Sequence, residues 1–326
     1  MNHNNKGFEM SRFQRPLFIS IIIAIALYIG ALFLGDFEAT KEALTNIPLL
    51  GWGAILGLSL INYLLRYYRW DWYIRELSGI NIPFKRHFSY YLAGFALSTT
   101  PGKAGETIRS LYLKRHGVSY NQSISSFFVE RFLDLLTIVL LSVLVAFQFE
   151  DYAVFVLITA VAIFAALPLL HSAWLMASLN GLADKSQKLS KPLMHLVDLL
   201  RSSSVLLKNR VLYGGFIIGI VAWAAEGVGF WLVLEYLGQN VDMALAISIY
   251  GIAVLIGALS FLPGGLGSTE AVMGGLLIAS GVDSSVAIAA TLVCRIATLW
   301  FAVFIGLGVS GWLASVGLAP EFAKKN

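Results

Sequence analysis

Long apolar stretches dominate this chain, and two of them are broken near their centres by Pro-Gly. A run of roughly 18 or more apolar residues crosses a hydrocarbon core of about 30 Å as one helix. Pro-Gly stops a helix and leaves backbone N–H and C=O groups unpaired where no water can take them. A fold of this chain must therefore surround both breaks with protein or with a polar cavity. The uninterrupted runs are Leu17–Leu34, Ile47 to about Leu65, Ser123–Phe149, Tyr152–Leu170, Val211 to about Leu237 and Ser285 to about Leu313, and the interrupted ones are Phe88–Gly117 and Ala244–Ser280. With 58% hydrophobic residues, 13% charged residues and a mean hydropathy of +0.76, the chain is too apolar for a soluble domain of 326 residues. The expected fold is an all-α polytopic membrane protein with about six transmembrane helices and two re-entrant helical hairpins.

The charged residues set a topology. Lys6, Arg12 and Arg15 precede the first run; Arg66, Arg69, Arg75, Lys85 and Arg86 follow the second; Lys114 and Arg115 precede the third. The connection from His171 to Arg210 is rich in Lys and Arg, and the tail carries Lys324 and Lys325. The positive-inside rule assigns all of these to the cytoplasm. Asp36, Glu38, Glu42, Glu150, Asp151, Asp242 and Asp283 fall on the other side, with Lys41. Both termini are then cytoplasmic in the cell (inner or plasma) membrane, and each hairpin must enter and leave on one face. The first run has a basic flank like a secretory signal. It is long for one, and no small-residue cleavage site follows it, so a permanent helix is expected. Trp174–Leu207 mixes leucines with lysines, as in interfacial helices or a packed cytoplasmic linker. The net charge of +4 follows topology and gives no basis for a nucleic-acid partner.

The chain also repeats itself. Ala96-Leu97-Ser98 and Pro101-Gly102 return as Ala258-Leu259-Ser260 and Pro263-Gly264, an offset of 162. Beyond a two-residue insertion, an offset of 164 matches Glu106 with Glu270, Gly117-Val118 with Gly281-Val282, and Arg131 with Arg295. Each half reads as span, Pro-Gly hairpin and arginine-bearing helix, the two halves starting from opposite faces. One membrane domain covers 1–326: an N-terminal span (1–46), half A (47–149), a connecting span with an amphipathic segment (150–210) and half B (211–313). Inverted repeats with broken helices at the bilayer midplane are a transporter architecture.

The hairpin turns are Pro101, Gly102, Gly105, Pro263, Gly264, Gly265 and Gly267, and limbs starting near Glu106 and Glu270 would offer free N–H groups suited to a phosphate. The same glycines would also serve plain helix packing. Lys103, Glu106, Arg109, Glu130, Arg131, Asp134, Glu226, Glu270 and Arg295 lie in or beside apolar stretches. A charge at a helix centre there costs roughly 2.5–3.5 kcal/mol and calls for a partner or a cavity. Arg131 and Asp134 are three residues apart on one helical face, so a structural ion network is a live alternative. This set holds more carboxylates than cations, and the case for an anion rests on the helix ends and on arginine geometry. Pro101–Thr107 resembles a phosphate loop, but Ala follows Gly102-Lys103, and position 97 is Leu. His3, His87, His116, His171 and His195 lack metal spacing, Cys294 has no partner for an intrachain disulfide, and no nucleophile motif is found. No metal or other cofactor is expected.

These residues resemble the lysylphosphatidylglycerol-synthase transmembrane-region family, also called flippase-like. The resemblance is carried over nearly the whole chain by Arg69-Trp70, Pro101-Gly102-Lys103-Ala104-Gly105-Glu106 with Arg109, Glu130-Arg131 with Asp134, Pro263-Gly264-Gly265-Leu266-Gly267 with Glu270, and Arg295. It implies two re-entrant elements and, as in its best-understood members, movement of a charged phospholipid between leaflets, with other relatives linked to hopanoid or glycolipid handling. Lys103 stands where relatives often have Arg, and Cys294 where an aromatic is frequent. The chain stops at Asn326, with no room for the soluble aminoacyl-transferring domain of two-domain relatives, so synthase activity is not expected. The expected function is a lipid translocator. Lys103, Glu106, Arg109, Glu130, Arg131, Asp134, Glu270 and Arg295 would meet a phosphate-bearing lipid. A membrane-embedded lipid-modifying enzyme and a scaffold for a separate lipid synthase are the alternatives. Homo-oligomerisation is left open.

Overall fold

The computed structural model describes residues 41–320 apart from 43–44, 145–152, 169–171, 186–192, 195–196 and 199. The expected first span, Leu17–Leu34, lies outside the described residues, as do the tail lysines and the acidic pair Glu150-Asp151. The described chain is all-helical, without strands.

α1, Leu49–Ser78, starts after Pro48 and ends at Gly79, whose φ of 69° lets its N–H close on the Arg75 carbonyl at 2.9 Å. It runs 13 residues past the expected Leu65 and carries Arg66 and Arg69 inward with it. The first interrupted stretch forms α2 (Phe84–Gly94), a short 3₁₀ turn Phe95–Leu97, a kinked 3₁₀ segment Pro101–Ile108 and α3 (Arg109–Lys114). A Ser119/Gln122 capping box opens α4, Tyr120–Ser142. α5 (Ala153–Ala166) and α6 (Ala173–Lys185) follow, then α7, Asn209–Tyr236. The second interrupted stretch is α8 (Met243–Leu259, capped by Asp242), a 3₁₀ turn Pro263–Gly265 and α9 (Ser268–Ala279). α10 (Ser284–Arg295, capped by Asp283) continues through a π-helical segment, Ile296–Trp300, into α11 (Phe301–Ser315).

Among the described residues, three helices are long and apolar enough to cross a membrane: Leu49–Ser78, Asn209–Tyr236 and the continuous Ser284–Ser315. α4 has 23 residues, but Glu130, Arg131 and Asp134 interrupt its apolar surface. α8 is short for a crossing at 17 residues.

α1 packs extensively against α7. Asn62 Nδ2 donates to the Ala222 carbonyl at 2.8 Å. Ser59 Oγ and Tyr63 Oη donate to the carbonyls of Ala297 and Thr298 at 2.9 and 2.7 Å. Both acceptors sit in the π segment, where the widened turn frees carbonyls from the regular ladder. The largest apolar core lies among α7, α8, α9 and α10, and a second, aromatic one joins Tyr63, Tyr67, Trp70, Tyr91 and Phe95 between α1 and the first hairpin. α11 approaches that hairpin at Gly306, where a Cβ would stand 2.6 Å from the Phe95 carbonyl carbon and 2.9 Å from Ala96 Cα.

Gly306→Ala should therefore destabilise the fold by about 1–3 kcal/mol, the usual range for overpacking. Gly308→Ala, with nothing within 4 Å of the new methyl, should leave it unchanged. Unfolding of the two variants in one detergent compares them directly.

Candidate functional site

The embedded charges converge. Arg66 and Arg69 lie three residues apart on the inward face of α1 and reach α4, where Glu130, Arg131 and Asp134 share a face. Arg69 Nη2 is 2.5 Å from Asp134 Oδ1 and 3.9 Å from Glu130 Oε1. Arg66 Nη2 is 3.3 Å from Glu130 Oε1 and 3.6 Å from Asp134 Oδ2. On α4 itself Arg131 Nη2 contacts Glu130 Oε1 at 2.7 Å and Asp134 Oδ2 at 3.0 Å. The first hairpin completes the lattice: Arg109 Nη2 is 3.2 Å from Glu130 Oε2 and 3.5 Å from Glu106 Oε2, and Ser98 Oγ donates to Glu106 Oε1 at 2.8 Å. The Arg109 guanidinium also lies 4.8 Å from the Tyr91 ring centroid and 5.1 Å from that of Trp70. The intrahelical Arg131–Asp134 pair expected from spacing is present, inside a network that spans three elements.

The two breaks follow the same backbone path. Thr100 and Leu262 are both extended before Pro101 and Pro263, and Gly102 and Gly264 then turn left-handed at φ 60° and 62°. Lys103 takes φ 55°, unusual for a residue with a side chain. The tips touch: a Cβ on Gly264 would sit 3.3 Å from Thr99 Cα. Glu106 and Arg131 approach to 4.0 Å, and their counterparts at the 164-residue offset, Glu270 and Arg295, pair at 2.7 Å. Half B is otherwise poorer in charge, with Cys294 and Thr298 at the positions matching Glu130 and Asp134.

Between the tips and the helices lies a cavity of about 340 Å³. Lys103, Glu106, Arg131, Asp134 and Arg295 line it, as do the turn residues Gly102, Gly264 and Gly265. Glu130 and Arg109 are buried behind this wall, and Glu270 reaches it only through Arg295. Pro101, Gly105, Pro263 and Gly267 shape the turns without facing the cavity, and Gly105 instead donates its N–H to Thr100 Oγ1 at 2.7 Å. At the rim, Leu259, Phe261 and Leu262 are exposed, Phe261 by 73%.

Two expectations change. Neither hairpin presents an open helix N-terminus at its glutamate. Glu270 Oε2 accepts the Gly267 N–H at 2.8 Å and caps α9 itself, while Glu106 lies within the 3₁₀ segment ahead of α3. Arg66 and Arg69, expected on the cytoplasmic flank, are buried in the lattice, held there by the α4 carboxylates. Their addition reverses the charge balance. Arg66, Arg69, Arg109, Arg131, Arg295 and Lys103 now outnumber Glu106, Glu130, Asp134, Glu226 and Glu270 by one. Trp223, Glu226 and Tyr250 also line the cavity without having been assigned to it. The signal for Arg66 and Arg69 was the absence of any helix breaker between Leu65 and Gly79, with Tyr63, Tyr67, Trp70 and Tyr73 continuing one face.

The family described as Lysylphosphatidylglycerol synthase TM region matches residues 21–306, a span that contains both breaks and all of these charges. The chain belongs to this family. Among its relatives are two UPF0104 membrane proteins of Methanothermobacter thermautotrophicus. One is 26% identical over 91% of this chain and 92% of its own, and the other 24% identical over 76% and 80%. A UPF0104 membrane protein of Pyrococcus horikoshii is 20% identical over 89% of this chain and 95% of its own. Membership makes this an integral membrane protein.

Removing one side of a fully buried ion pair costs about 3–5 kcal/mol, because the other charge is left in the interior. Asp134→Leu should destabilise the protein on that scale by stranding Arg69. The double variant Arg69→Met/Asp134→Leu should recover much of the loss. Denaturant unfolding of the three proteins in detergent tests the pairing.

Proposed function

We propose that the chain translocates a polar-headgroup lipid between leaflets, with the headgroup in the cavity and the acyl tails outside the rim. The observation that carries this reading is one cavity shared by both broken hairpins, charged inside and bordered by the exposed apolar residues Leu259, Phe261 and Leu262. That division of surface matches an amphiphile. The excess of cations favours a headgroup with a phosphate. Arg66 and Arg131 line the cavity and each keep an Nε–H without a hydrogen-bond partner among the described residues. Guanidinium N–H groups and phosphate oxygens make strong charge-assisted bonds. Lys103 is the most available cation: its ammonium has no ion pair among the described residues and rests 5.5 Å from the Trp223 ring centroid.

In this reading the two hairpins are re-entrant and the halves form an inverted-topology pair in the plasma membrane. The common path of the two breaks, the paired glutamate–arginine positions and the meeting of the tips support that symmetry. Rocking of one half against the other would open the cavity first to one leaflet and then to the other. Glu130 and Asp134 are gripped by arginines, which suits a scaffold for the cavity wall better than an acid–base pair working on a lipid.

Purified protein in phosphatidylcholine vesicles carrying a trace of fluorescent phosphatidylglycerol should speed exchange of the probe between leaflets. Lys103→Ala should slow it about tenfold or more, equivalent to losing one charge-assisted hydrogen bond. Unchanged exchange in folded Lys103→Ala would remove the proposed role of that residue. Covalent alteration of the lipid by pure protein would replace translocation with enzymology.

A further inference from the structure

The carboxylates around the cavity are not equivalent. Glu106, Glu130, Asp134 and Glu270 each have an arginine within 4.0 Å. Glu226 is buried at the middle of α7, lines the cavity, and has no cation within that distance among the described residues. Its hydrogen bond comes from the Tyr250 hydroxyl of α8, in a short contact with Oε2. Trp223, one helical turn earlier on the same helix, carries Lys103 over its ring. Glu226 and Lys103 thus face the same space, and neither makes an ion pair within 4.0 Å among the described residues.

The other groups facing Glu226 and Tyr250 are Tyr63 and Arg66 from α1, Asp134 from α4, and Cys294 and Arg295 from α10. Arg66 is already engaged by Glu130 and Asp134, and Arg295 by Glu270. Asp134 is held by Arg69 and Arg131. Tyr63 donates its hydroxyl hydrogen bond to the Thr298 carbonyl. That leaves Glu226 as the carboxyl group whose protonation is decided by whatever enters the cavity.

We infer that Glu226, oriented by Tyr250, is a proton-binding site of the cavity, and that an anionic headgroup enters together with a proton on Glu226. A phosphate oxygen drawn to Lys103 would meet an ionised Glu226 as a like charge. A proton taken from water on the side of entry forms an O–H on Glu226, removes that repulsion, and returns to water when the headgroup leaves. No other bond changes. Binding free energies are reciprocal, so the headgroup must tighten proton binding by the factor by which the proton tightens headgroup binding. The proton site stands on geometry alone; its coupling to a headgroup rests on the translocation reading.

Infrared difference spectroscopy of the full chain in phosphatidylcholine vesicles separates these claims. A protonated-carboxyl band should titrate with pH, and the isosteric Glu226→Gln should abolish it. Tyr250→Phe should keep the band and move its midpoint, because the acid remains and its orienting bond is lost. Perfusing dihexanoyl phosphatidylglycerol at fixed pH should strengthen the band in wild type and leave Glu226→Gln unaffected. Absence of a titrating band, or its persistence in Glu226→Gln, overturns the proton site. A band that titrates but ignores the lipid overturns the coupling. A band that responds to the lipid in a protein that exchanges none between vesicle leaflets upholds this inference, and the translocation reading alone fails.

Discussion

Every other feature of the site depends on neutralising charge where water is scarce. Taking a guanidinium or a carboxylate out of water costs several kcal/mol per ion, repaid only when opposite charges meet in good geometry. Arg69, Glu130 and Arg109 have almost no exposure, so α1, α4 and the first hairpin cannot separate without stranding a charge. The lattice therefore fixes three elements that apolar packing alone would hold only loosely in a lipid environment, where one hydrocarbon surface is as good as another. It also sets the wall of the cavity, because Arg66, Arg131, Asp134 and Glu106 belong to both.

A second constraint comes from the backbone. Two Pro-Gly breaks expose peptide groups that must be met locally, and each break satisfies them by tightening into 3₁₀ turns and by side-chain oxygens from Thr100 and Ser260. In half B the Gly264 carbonyl accepts a bond of 2.7 Å from Arg295 Nη2, so a single side chain ties the broken backbone to the embedded glutamate. The π segment that follows Arg295 frees carbonyls in its turn, and α1 supplies the donors. Irregular backbone and irregular charge are in this way resolved by the same few helices.

Much of this was legible from residue order. Pro-Gly located both breaks, and the 164-residue offset matched Glu106 with Glu270 and Arg131 with Arg295, the residues that then meet as glutamate–arginine pairs in space. The hidden parts have physical causes. Basic residues after an apolar run read as a cytoplasmic flank; the unbroken helix pattern hints that Arg66 and Arg69 are interior, and their partners on α4 show it. The glutamates were placed beside open helix ends, but a carboxylate three residues into a helix is well set to cap that helix itself, as Glu270 does. Glu226 was visible as an embedded charge, yet its hydrogen bond from Tyr250, with no cation within 4.0 Å among the described residues, is a property of three-dimensional neighbours that no spacing rule encodes.

The contact of the two tips is made where Gly264 meets the backbone at Thr99, without a side chain interposed on the glycine. Knobs seated in holes resist sliding, since each step must lift one side chain over another. Gly264 adds no knob of its own here, although Leu299 and Leu266 flank the contact. The meeting of the tips thus depends on the missing side chain: one added at Gly264 would be strained by the φ of 62° and would crowd both Thr99 and Leu299.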